Sequence, residues 1–418
     1  MNPKRMINPI RPYAWGSRHF IAALQDRPVP TSSPEAELWL GAHPAAPSVV
    51  VSLPAETAEE RRASPPTLAL TLDRWIAENR AETLGADVAA RFGGELPFLM
   101  KILAAAQPLS LQAHPSRAEA ERGFDAEEAA HVPIDAPERK YKDRHHKPEL
   151  IVALTPFVAL CGFRPVVETR RLLAELGGEA LEPCRRLLDR DPPEEALRGV
   201  FQYLLGLPAT EQRHLTEAVR RRVSRNGVAA TAEHAPELAW AERLADLYPG
   251  DVGVVGALFL NLVHLAPDEG LYLPAGNLHA YLEGAGVEIM ANSDNVLRGG
   301  LTPKPIHVAE LLRILRFEEA RPKPLRPTPI DAGEAVFETP ADEFQLSRLR
   351  LGADGPPLER VPLGPEVLLV TDGEVELGWG SDAVRLARGG SVFVPSSSPP
   401  YRLSGKGNVY RARVPATP

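Results

Sequence analysis

Residues 96–117 constrain the fold most, because an apolar run passes within a few positions into alternating polar side chains. The stretch reads LPFLMKILAAAQPLSLQAHPSR. Side chains two apart on a β-strand share a face, so a strand here would bury Leu109, Leu111 and Ala113 on one side. The other side would present Ser110, Gln112 and His114. The pattern therefore predicts a polar wall inside the fold, with an ordinary half-exposed edge strand as the alternative.

Length and composition indicate a globular protein with small-molecule partners. The chain has 418 residues, of which 44% are hydrophobic, enough for two or three packed domains. Its formal net charge of −8 gives no overall positive field for nucleic acid or an anionic membrane. We therefore expect neither nucleic acid nor membrane as a partner.

The cysteine count and the apolar runs suggest a location in the cytoplasm. The two cysteines, Cys161 and Cys184, cannot build a disulfide framework or a thiolate zinc site. The first residues lack the apolar run of a signal peptide, and no stretch reaches 18 uninterrupted apolar residues. We therefore expect a cytoplasmic protein.

Two long segments each have a pattern that predicts a separate structural unit. Residues 166–250 are rich in Arg, Glu, Leu and Ala at helical spacing, which predicts a helical insertion with His214 and His234 on its surface. Residues 319–418 contain short strands separated by turn residues at even spacing, which is typical of a jelly roll. No histidine follows His307, so we expect this C-terminal unit to bind no metal and to act as a structural element or lid.

Strand and turn signals also place a histidine and a carboxylate between residues 270 and 291. A strand is followed by a Pro-Ala-Gly-Asn turn and a second strand beginning near His279. The glycines of residues 283–286 predict another turn, after which a third strand carries Glu288.

Four residues could form a metal site. His114 and His279 lie on predicted strands beside turns, and Gln112 shares the face of His114. Glu149 heads an apolar strand, where a carboxylate needs a cation such as Lys147 or a metal. Two imidazoles, a carboxylate and an amide suit zinc, but two histidines and one carboxylate also form the facial triad of iron oxygenases.

Four motifs together resemble the type I mannose-6-phosphate isomerases. In chain order they are PLSLQAHPSR, HKPELIVAL, PAGNLHAYL and VEIMANSDNVLRGGLTPK, within a resemblance that covers residues 13–315. The resemblance implies a mainly β fold of two cupin-like jelly-roll barrels with an inserted helical domain. Residues 1–165 and 251–318 would then form a catalytic barrel, residues 166–250 the insertion, and residues 319–418 a second barrel without metal.

The resemblance also implies specific roles in the interconversion of mannose 6-phosphate and fructose 6-phosphate. One zinc ion per chain would be bound by the Gln-x-His pair, the Glu after Lys-Pro and the His after the Pro-x-Gly turn, namely Gln112, His114, Glu149 and His279. The catalytic arginine of the family corresponds to Arg298. Lys304 corresponds to the lysine of the Thr-Pro-Lys that follows.

The chemistry of such a reaction limits the remaining candidates. Moving a carbonyl between C1 and C2 removes a proton and creates an enediolate, whose charge zinc and Arg298 could offset. Glu288 and Asp294 are candidate proton carriers, as is Lys147 if its pKa is lowered. Candidate substrate contacts are Ser110, Lys101 and Lys304 for the phosphate, and Trp15, which either lines the sugar pocket or packs in a core.

Two other functions remain open at the level of sequence. An iron-dependent oxygenase could use the same barrel, and it would require Fe(II) and consume oxygen. A non-enzymatic sugar-phosphate sensor would need a partner surface or a DNA-binding unit, and no helix-turn-helix followed by a basic stripe is found. Because one chain would already contain both barrels, we expect a monomer.

Overall fold

The computed structural model describes residues 1–51, 70–225, 233–353 and 355–416. These residues form a mainly β protein, as predicted. The strands, in chain order, are β1 (Lys4–Ile7), β2 (Ile10–Arg11), β3 (Glu37–Gly41), β4 (Val49–Val51), β5 (Leu70–Thr71), β6 (Phe98–Ala105), β7 (Leu111–Ala113), β8 (Glu149–Ala153), β9 (Phe157–Phe163), β10 (Leu260–Leu265), β11 (Gly270–Leu273), β12 (His279–Ala291), β13 (Leu297–Gly300), β14 (Thr328–Pro329), β15 (Glu334–Phe337), β16 (Gln345–Leu351), β17 (Leu358–Arg360), β18 (Glu366–Trp379), β19 (Asp382–Ala387), β20 (Ser391–Val394) and β21 (Tyr401–Arg413).

Five of the twelve described α-helices lie within residues 166–250, the segment predicted to be helical, and a sixth follows before β10. A 3₁₀ turn occupies Glu179–Leu181. No helix among the described residues is long and apolar enough to span a membrane. The α-helices are α1 (Phe20–Leu24), α2 (Leu72–Glu78), α3 (Arg80–Leu84), α4 (Ala86–Arg91), α5 (Arg117–Ala129), α6 (Val166–Leu176), α7 (Glu182–Leu187), α8 (Pro193–Gly206), α9 (Ala209–Arg225), α10 (Ala235–Leu247), α11 (Gly253–Ala257) and α12 (Val308–Ile314).

The described strands form two sheets, in which neighbouring strands are antiparallel. One sheet runs in the order β14-β15-β16-β21-β18-β20-β1-β4-β5, so β1 pairs with the C-terminal strand β20 and β4 and β5 extend the sheet beyond β1. The other runs β10-β9-β12-β6-β3-β2, with β7, β8, β11 and β13 attached. The first 71 residues therefore contribute strands to both sheets, although the sequence assigned all of residues 1–165 to one barrel.

The central strands of the second sheet have one apolar face and one face on which charged residues alternate with apolar ones. Leu38, Met100, Ile102 and Ile289 are buried in a core shared with Phe393 of the other sheet. Alternation sends the intervening residues to the opposite face, which is the wall of a cavity. The apolar contact between the two sheets thus holds in place the face that forms the cavity wall.

Strand β12 is continuous, so the turn predicted at residues 283–286 is wrong. The strand pairs with β9 up to Glu283, with β6 from Gly284 and with β8 from Gly286 onward, with a register shift between Tyr281 and Glu283. Gly284 has φ +122°, a conformation that side chains rarely permit. A bulge before Glu283 and the glycine conformation at Gly284 therefore bend the strand where a turn was expected, and His279 and Glu288 belong to one strand.

The helical segment packs against the back of β7. Leu111 and Ala113 are fully buried in a core with Phe201 and other helical side chains, which confirms their predicted direction. The surface position predicted for His234 is wrong: it is 5% exposed, with Nδ1 2.8 Å from Glu175. Its carboxylate partner offsets the free-energy cost of burying the polar imidazole, and sequence spacing did not indicate that partner.

Candidate active site

His114, Glu149 and His279 form a buried cluster that could hold a metal ion. Nε2 of each histidine lies 3.4 Å from Oε2 of Glu149. One potential ligand atom from each residue lies within 4.8 Å of the others. Each residue is at most 2% exposed, so these atoms face one another without access to bulk water.

Backbone carbonyls orient both imidazoles. Nδ1 of His114 is 2.7 Å from the carbonyl oxygen of Asn295, and Nδ1 of His279 is 3.0 Å from that of Asn277. A carbonyl only accepts, so each Nδ1 must carry the proton and each Nε2 presents a lone pair. Nε2 of both histidines and Oε2 of Glu149 have no hydrogen-bond partner among the described residues. Three converging lone pairs fit a cation.

The charges around this cluster favour the metal-binding protonation states. Burial lowers the pKa of His114 to about 4, so its imidazole is neutral near pH 7. Burial alone would raise the pKa of Glu149, but Lys147 and the histidines hold it well below its ordinary range. Nζ of Lys147 is 3.2 Å from Oε1 of Glu149. The lysine therefore binds one carboxylate oxygen and leaves the other facing the histidines.

Strand pairing places Gln112 beside the cluster. It lies opposite His279 of β12 on one side and opposite Arg298 of β13 on the other. Gln112 also lines the same cavity as Glu149 and Arg298. The register thus brings a candidate amide ligand and a guanidinium to the same wall.

A cavity of about 540 Å³ lies beside this cluster and is lined by Glu149, whereas His114 and His279 are not among its lining residues. A volume in this range suits a small-molecule ligand. The predicted site residues that line it are Trp15, Lys101, Ser110, Gln112, Lys147, Glu149, Glu288, Asp294, Arg298 and Lys304.

Across the cavity wall, one buried lysine is shared by two carboxylates. Nζ of Lys101 is 3.1 Å from Oε2 of Glu288 and 3.8 Å from Oε2 of Glu37. Burial lowers the pKa of Lys101, but the carboxylates of Glu37, Glu288 and Glu149 outweigh it and raise the value. Burial raises the pKa of Glu288, and the neighbouring carboxylates Glu149 and Glu37 add to this effect against Lys101. Lys101 is thus a buried central residue of β6.

Asp294 faces a histidine that sequence reasoning did not identify. Nε2 of His43 is 3.5 Å from Oδ1 of Asp294, and Nδ1 of His43 accepts a hydrogen bond from the backbone of Ala45. Contact with His43 lowers the pKa of Asp294 despite its partial burial. The Asp294 side chain is 52% exposed, so it remains accessible from the cavity.

Two cations mark one end of the cavity. Burial lowers the pKa of Arg298, and the charge of Arg298 together with burial lowers the pKa of Lys304. Among the described residues, neither side chain has a carboxylate within ion-pair distance. This end of the cavity is therefore suited to an anion.

Some predicted positions differ in detail. Trp15, a candidate for the sugar pocket or a core, lies in a turn and stacks on Tyr13 at 5.7 Å. Leu109 precedes β7 and lines the cavity beside Ser110, so it is not on the buried face with Leu111. Glu37 received no role at the level of sequence, although Glu37 and Trp39 lie two residues apart and therefore share one strand face, which was a usable signal.

Comparison with known proteins identifies the family. Residues 4–166 match the family described as phosphomannose isomerase type I, catalytic domain. Mannose-6-phosphate isomerase of Escherichia coli (strain K12) is 36% identical over 409 residues, covering 98% of each chain. The Homo sapiens enzyme of the same name is 33% identical over 412 residues, covering 92% of this chain and 91% of its own.

A solved structure agrees with these sequence matches. A crystal structure of mannose 6-phosphate isomerase in a zinc-bound holo form matches with a TM-score of 0.87 and 34% identity, covering all of both chains. A lysine-to-alanine mutant of phosphomannose isomerase from Salmonella typhimurium gives a TM-score of 0.88. The chain belongs to the type I phosphomannose isomerase family of isomerases.

Proposed function

We propose that this protein is a zinc-dependent isomerase that interconverts mannose 6-phosphate and fructose 6-phosphate through an enediol. The observation that carries the proposal is the convergence of three buried lone pairs, from His114, Glu149 and His279, beside the cavity that Glu149 lines. Relatives named mannose-6-phosphate isomerase and a zinc-bound solved relative support it.

Four side chains would hold one zinc ion per chain. His114, Glu149 and His279 have suitable donor atoms and protonation states, and Gln112 lies opposite His279 in the strand register. Two imidazoles with two oxygen ligands suit zinc. When bound, zinc supplies positive charge beside the oxygens of C1 and C2.

Arg298 would stabilise the enediolate. Its guanidinium lines the cavity wall across from Gln112 and remains charged throughout the physiological pH range. A preorganised cation aimed at a developing oxyanion contributes about 3 to 4 kcal/mol of transition-state stabilisation. Proton transfer between C1 and C2 then falls to Glu288, Asp294 or Lys147, which all line the same cavity.

The phosphate would bind at the cationic end of the cavity. Lys304 and the hydroxyl of Ser110 line this cavity, and no carboxylate pairs with Lys304 within the described chain. Lys101 also faces the cavity, although Glu37 and Glu288 already share its charge. We assign Lys304 and Ser110 the direct contacts, keep Lys101 as a further candidate, and place the sugar against Trp15.

The same proposal includes the organisation of the whole protein. We propose two cupin-like jelly-roll barrels, with residues 166–250 inserted as helices and the C-terminal barrel free of metal. The core shared between the two sheets supports a monomer in which the second barrel braces the first. The net charge and the two unpaired cysteines support a cytoplasmic location.

Isomerisation in deuterated water tests the metal and the mechanism together. The protein is assayed with mannose 6-phosphate as purified, after chelation, and after zinc is restored. Product formation and deuterium at C1 and C2 are followed by NMR. We expect activity to disappear on chelation and return with zinc, with deuterium entering the product through the enediol.

Other outcomes point to the alternatives. Activity that is independent of zinc would contradict the ligand assignment. Oxygen consumption that requires Fe(II) would indicate an oxygenase, and sugar-phosphate binding without any turnover by the zinc-loaded protein would indicate a sensor. Isomerisation without label would favour direct hydride transfer over an enediol.

A further inference from the structure

Asn295 contacts one residue of the metal cluster and the loop that leads to another. Its backbone carbonyl oxygen lies 2.7 Å from Nδ1 of His114, the residue that follows β7. Its side chain is hydrogen-bonded within residues 142–145. These belong to the stretch 142–148 that precedes Glu149, which we call the β8 loop. Asn295 is 1% exposed, so a buried residue joins His114 to the segment that carries Glu149.

Both ends of the Asn295 amide are bonded to the β8 loop. Nδ2 donates to the carbonyl oxygen of Asp143 at 2.8 Å and to that of His145 at 2.9 Å. Oδ1 accepts a hydrogen bond from the backbone nitrogen of Lys142 at 2.7 Å. Carbonyl groups only accept and backbone N–H groups only donate, so these partners determine which end of the amide is the nitrogen. The β8 loop therefore holds Asn295 in one orientation.

Asp143 of the β8 loop also binds the two residues before Asn295. Its Oδ1 accepts a hydrogen bond from Oγ of Ser293 at 2.8 Å, and its Oδ2 accepts one from the backbone nitrogen of Asp294 at 2.8 Å. Ser293 is 1% exposed. Three consecutive residues are thus bonded to Asp143, and together these bonds fix the backbone from which the Asn295 carbonyl projects.

The network gives a role to motif residues that the reaction itself does not use. Ser293 and Asn295 flank Asp294 in the motif that also contains Arg298, but neither is among the lining residues of the cavity. An acceptor on the second nitrogen of a metal-binding histidine fixes its tautomer and ring orientation, and its loss weakens metal binding by about 10- to 100-fold. For His114 that acceptor is a backbone carbonyl, so its position depends on the groups that hold residue 295.

We propose that Asn295 is a positioning residue for the zinc site. Its carbonyl orients His114 while its amide binds the β8 loop, so it sets the position of Nε2 of His114 relative to the carboxylate of Glu149. Asn295 acts through these ligands and contacts neither zinc nor substrate. This inference rests on the zinc site proposed above and adds the residue that aligns its ligands.

Competition for zinc between the protein and a chelating indicator tests the proposal. Asn295→Ala removes the amide but keeps the backbone carbonyl, so any change reports the position of the acceptor and not its presence. We expect the dissociation constant for zinc to rise at least tenfold, within the range for groups that orient a metal ligand. Circular dichroism and urea unfolding establish that the variant is folded.

Asp143→Asn is a second, milder variant, and Asp125→Asn is its matched control. Asp143→Asn replaces one of the two acceptor oxygens that hold residues 293 and 294, so zinc binding should weaken in the same direction but by a smaller factor. Asp125 pairs with Arg144 of the same loop, and both side chains are more than half exposed. Asp125→Asn therefore removes an equal charge without touching Asn295 and should leave the zinc affinity unchanged.

NMR of histidine labelled with ¹⁵N follows the orienting hydrogen bond itself. In the zinc-loaded wild type, the Nδ1 proton of His114 is buried and hydrogen-bonded, so we expect it to exchange slowly with solvent. Its signal is assigned by its absence from His114→Gln. At saturating zinc the same proton should exchange faster in Asn295→Ala, because the carbonyl no longer faces it squarely.

A purely structural role for Asn295 would give a different result. Asn295→Ala would then lose unfolding free energy while its zinc affinity and the His114 signal stayed at their wild-type values, which would overturn the proposal. If Asn295→Ala does not fold, wild-type zinc affinity in folded Asp143→Asn would overturn it equally. Wild-type protein that binds no zinc would instead contradict the zinc site itself, so the two failures are distinguished.

Discussion

Lys101 and Glu288 lie directly opposite each other on β6 and β12, with their charged atoms 3.1 Å apart. Both side chains are buried on the cavity wall, and Glu37 approaches the same ammonium group at 3.8 Å. One lysine therefore offsets two carboxylates in a place that water reaches poorly. The net charge of this part of the cavity wall therefore depends on Lys101.

Replacing Lys101 with Met should destabilise the protein strongly. The side-chain volume is nearly kept, but Glu37 and Glu288 lose their cation, and breaking a buried pair costs about 3 to 5 kcal/mol of unfolding free energy. Urea unfolding at pH 7.5 measures the loss. The double variant Lys101→Met/Glu288→Gln should recover part of it. A loss below about 1 kcal/mol would show that other groups already compensate the carboxylates.

Removing His279 should abolish metal binding without removing the fold. His279→Ala deletes one of three converging ligand atoms, so we expect the zinc content and the zinc-dependent activity to fall together, at least tenfold. Elemental analysis and the isomerisation assay measure the two. His264→Ala removes an exposed histidine of β10 and should leave both unchanged. Retention of full zinc content by His279→Ala would place the metal elsewhere.

Arg298→Lys should separate charge from geometry. Lysine keeps the positive charge but lacks the planar group of Arg298, so we expect kcat to fall by about 10²- to 10³-fold, equivalent to loss of an oxyanion donor. The zinc content should stay at the wild-type value, which excludes damage to the metal cluster. A change confined to KM would instead assign Arg298 to the binding of phosphate.

The sequence allowed the metal cluster to be predicted because its residues lie at strand positions bounded by recognisable turns. Gln112 and His114 follow strand alternation, and Glu149 and His279 each follow a proline-containing turn. The pairing that brings the strands together depends on contacts far apart in the chain, so the sequence offered Lys101 as a phosphate contact without its position in the centre of β6, opposite Glu288 and Trp39.

Glycine was the main source of error in the strands. The same residue type ends strands at turns and bends them at bulges, and local sequence does not distinguish the two. Gly284 interrupts a predicted pair of strands that is in fact one strand. In the C-terminal unit, where turn residues were expected to separate short strands, β18 continues through Asp372 and Gly373 with a register shift after Val370. Whether a glycine ends a strand or lies within it depends on the neighbouring strands with which the segment pairs.

The stability contributed by Glu310 should depend on pH. Burial would raise its pKa, but hydrogen bonds from Arg313 and Tyr141 hold the pKa below the usual 4.5. The stabilisation is therefore complete above about pH 4.5 and is lost as the pH falls through the lower folded-state value. Replacing Glu310 with Gln should cost about 1 kcal/mol at pH 7.

Unfolding free energies measured across a pH series check the predicted contribution of Glu310. The difference between wild type and Glu310→Gln should shrink below pH 4.5 and vanish once the carboxyl is protonated in both states. Glu338→Gln, at an exposed position, serves as the control. A difference that stays constant with pH would mean that packing, and not charge, accounts for the contribution of Glu310.

The bend at Gly284 should be required for both stability and metal binding. An added Cβ would lie 2.7 Å from the carbonyl oxygen of Pro156 and 2.7 Å from the ring of Phe157, in a backbone conformation that favours glycine. Combined strain and overpacking predict a loss of about 2 to 5 kcal/mol in unfolding free energy for Gly284→Ala. Because His279 lies before Gly284, and the part of β12 after Gly284 pairs with β8, which carries Glu149, the folded fraction should also bind less zinc.

Gly352→Ala provides the matched control, since no atom of the described residues lies within 4 Å of the added Cβ and its φ is not in the left-handed region. Urea unfolding and zinc content are measured for both variants. Equal unfolding free energies and equal zinc contents of the two variants would show that β12 accommodates the alanine without loss of stability. A stability loss with unchanged zinc content would show that the bend supports the fold while the ligand positions are fixed by β7 and β8 alone.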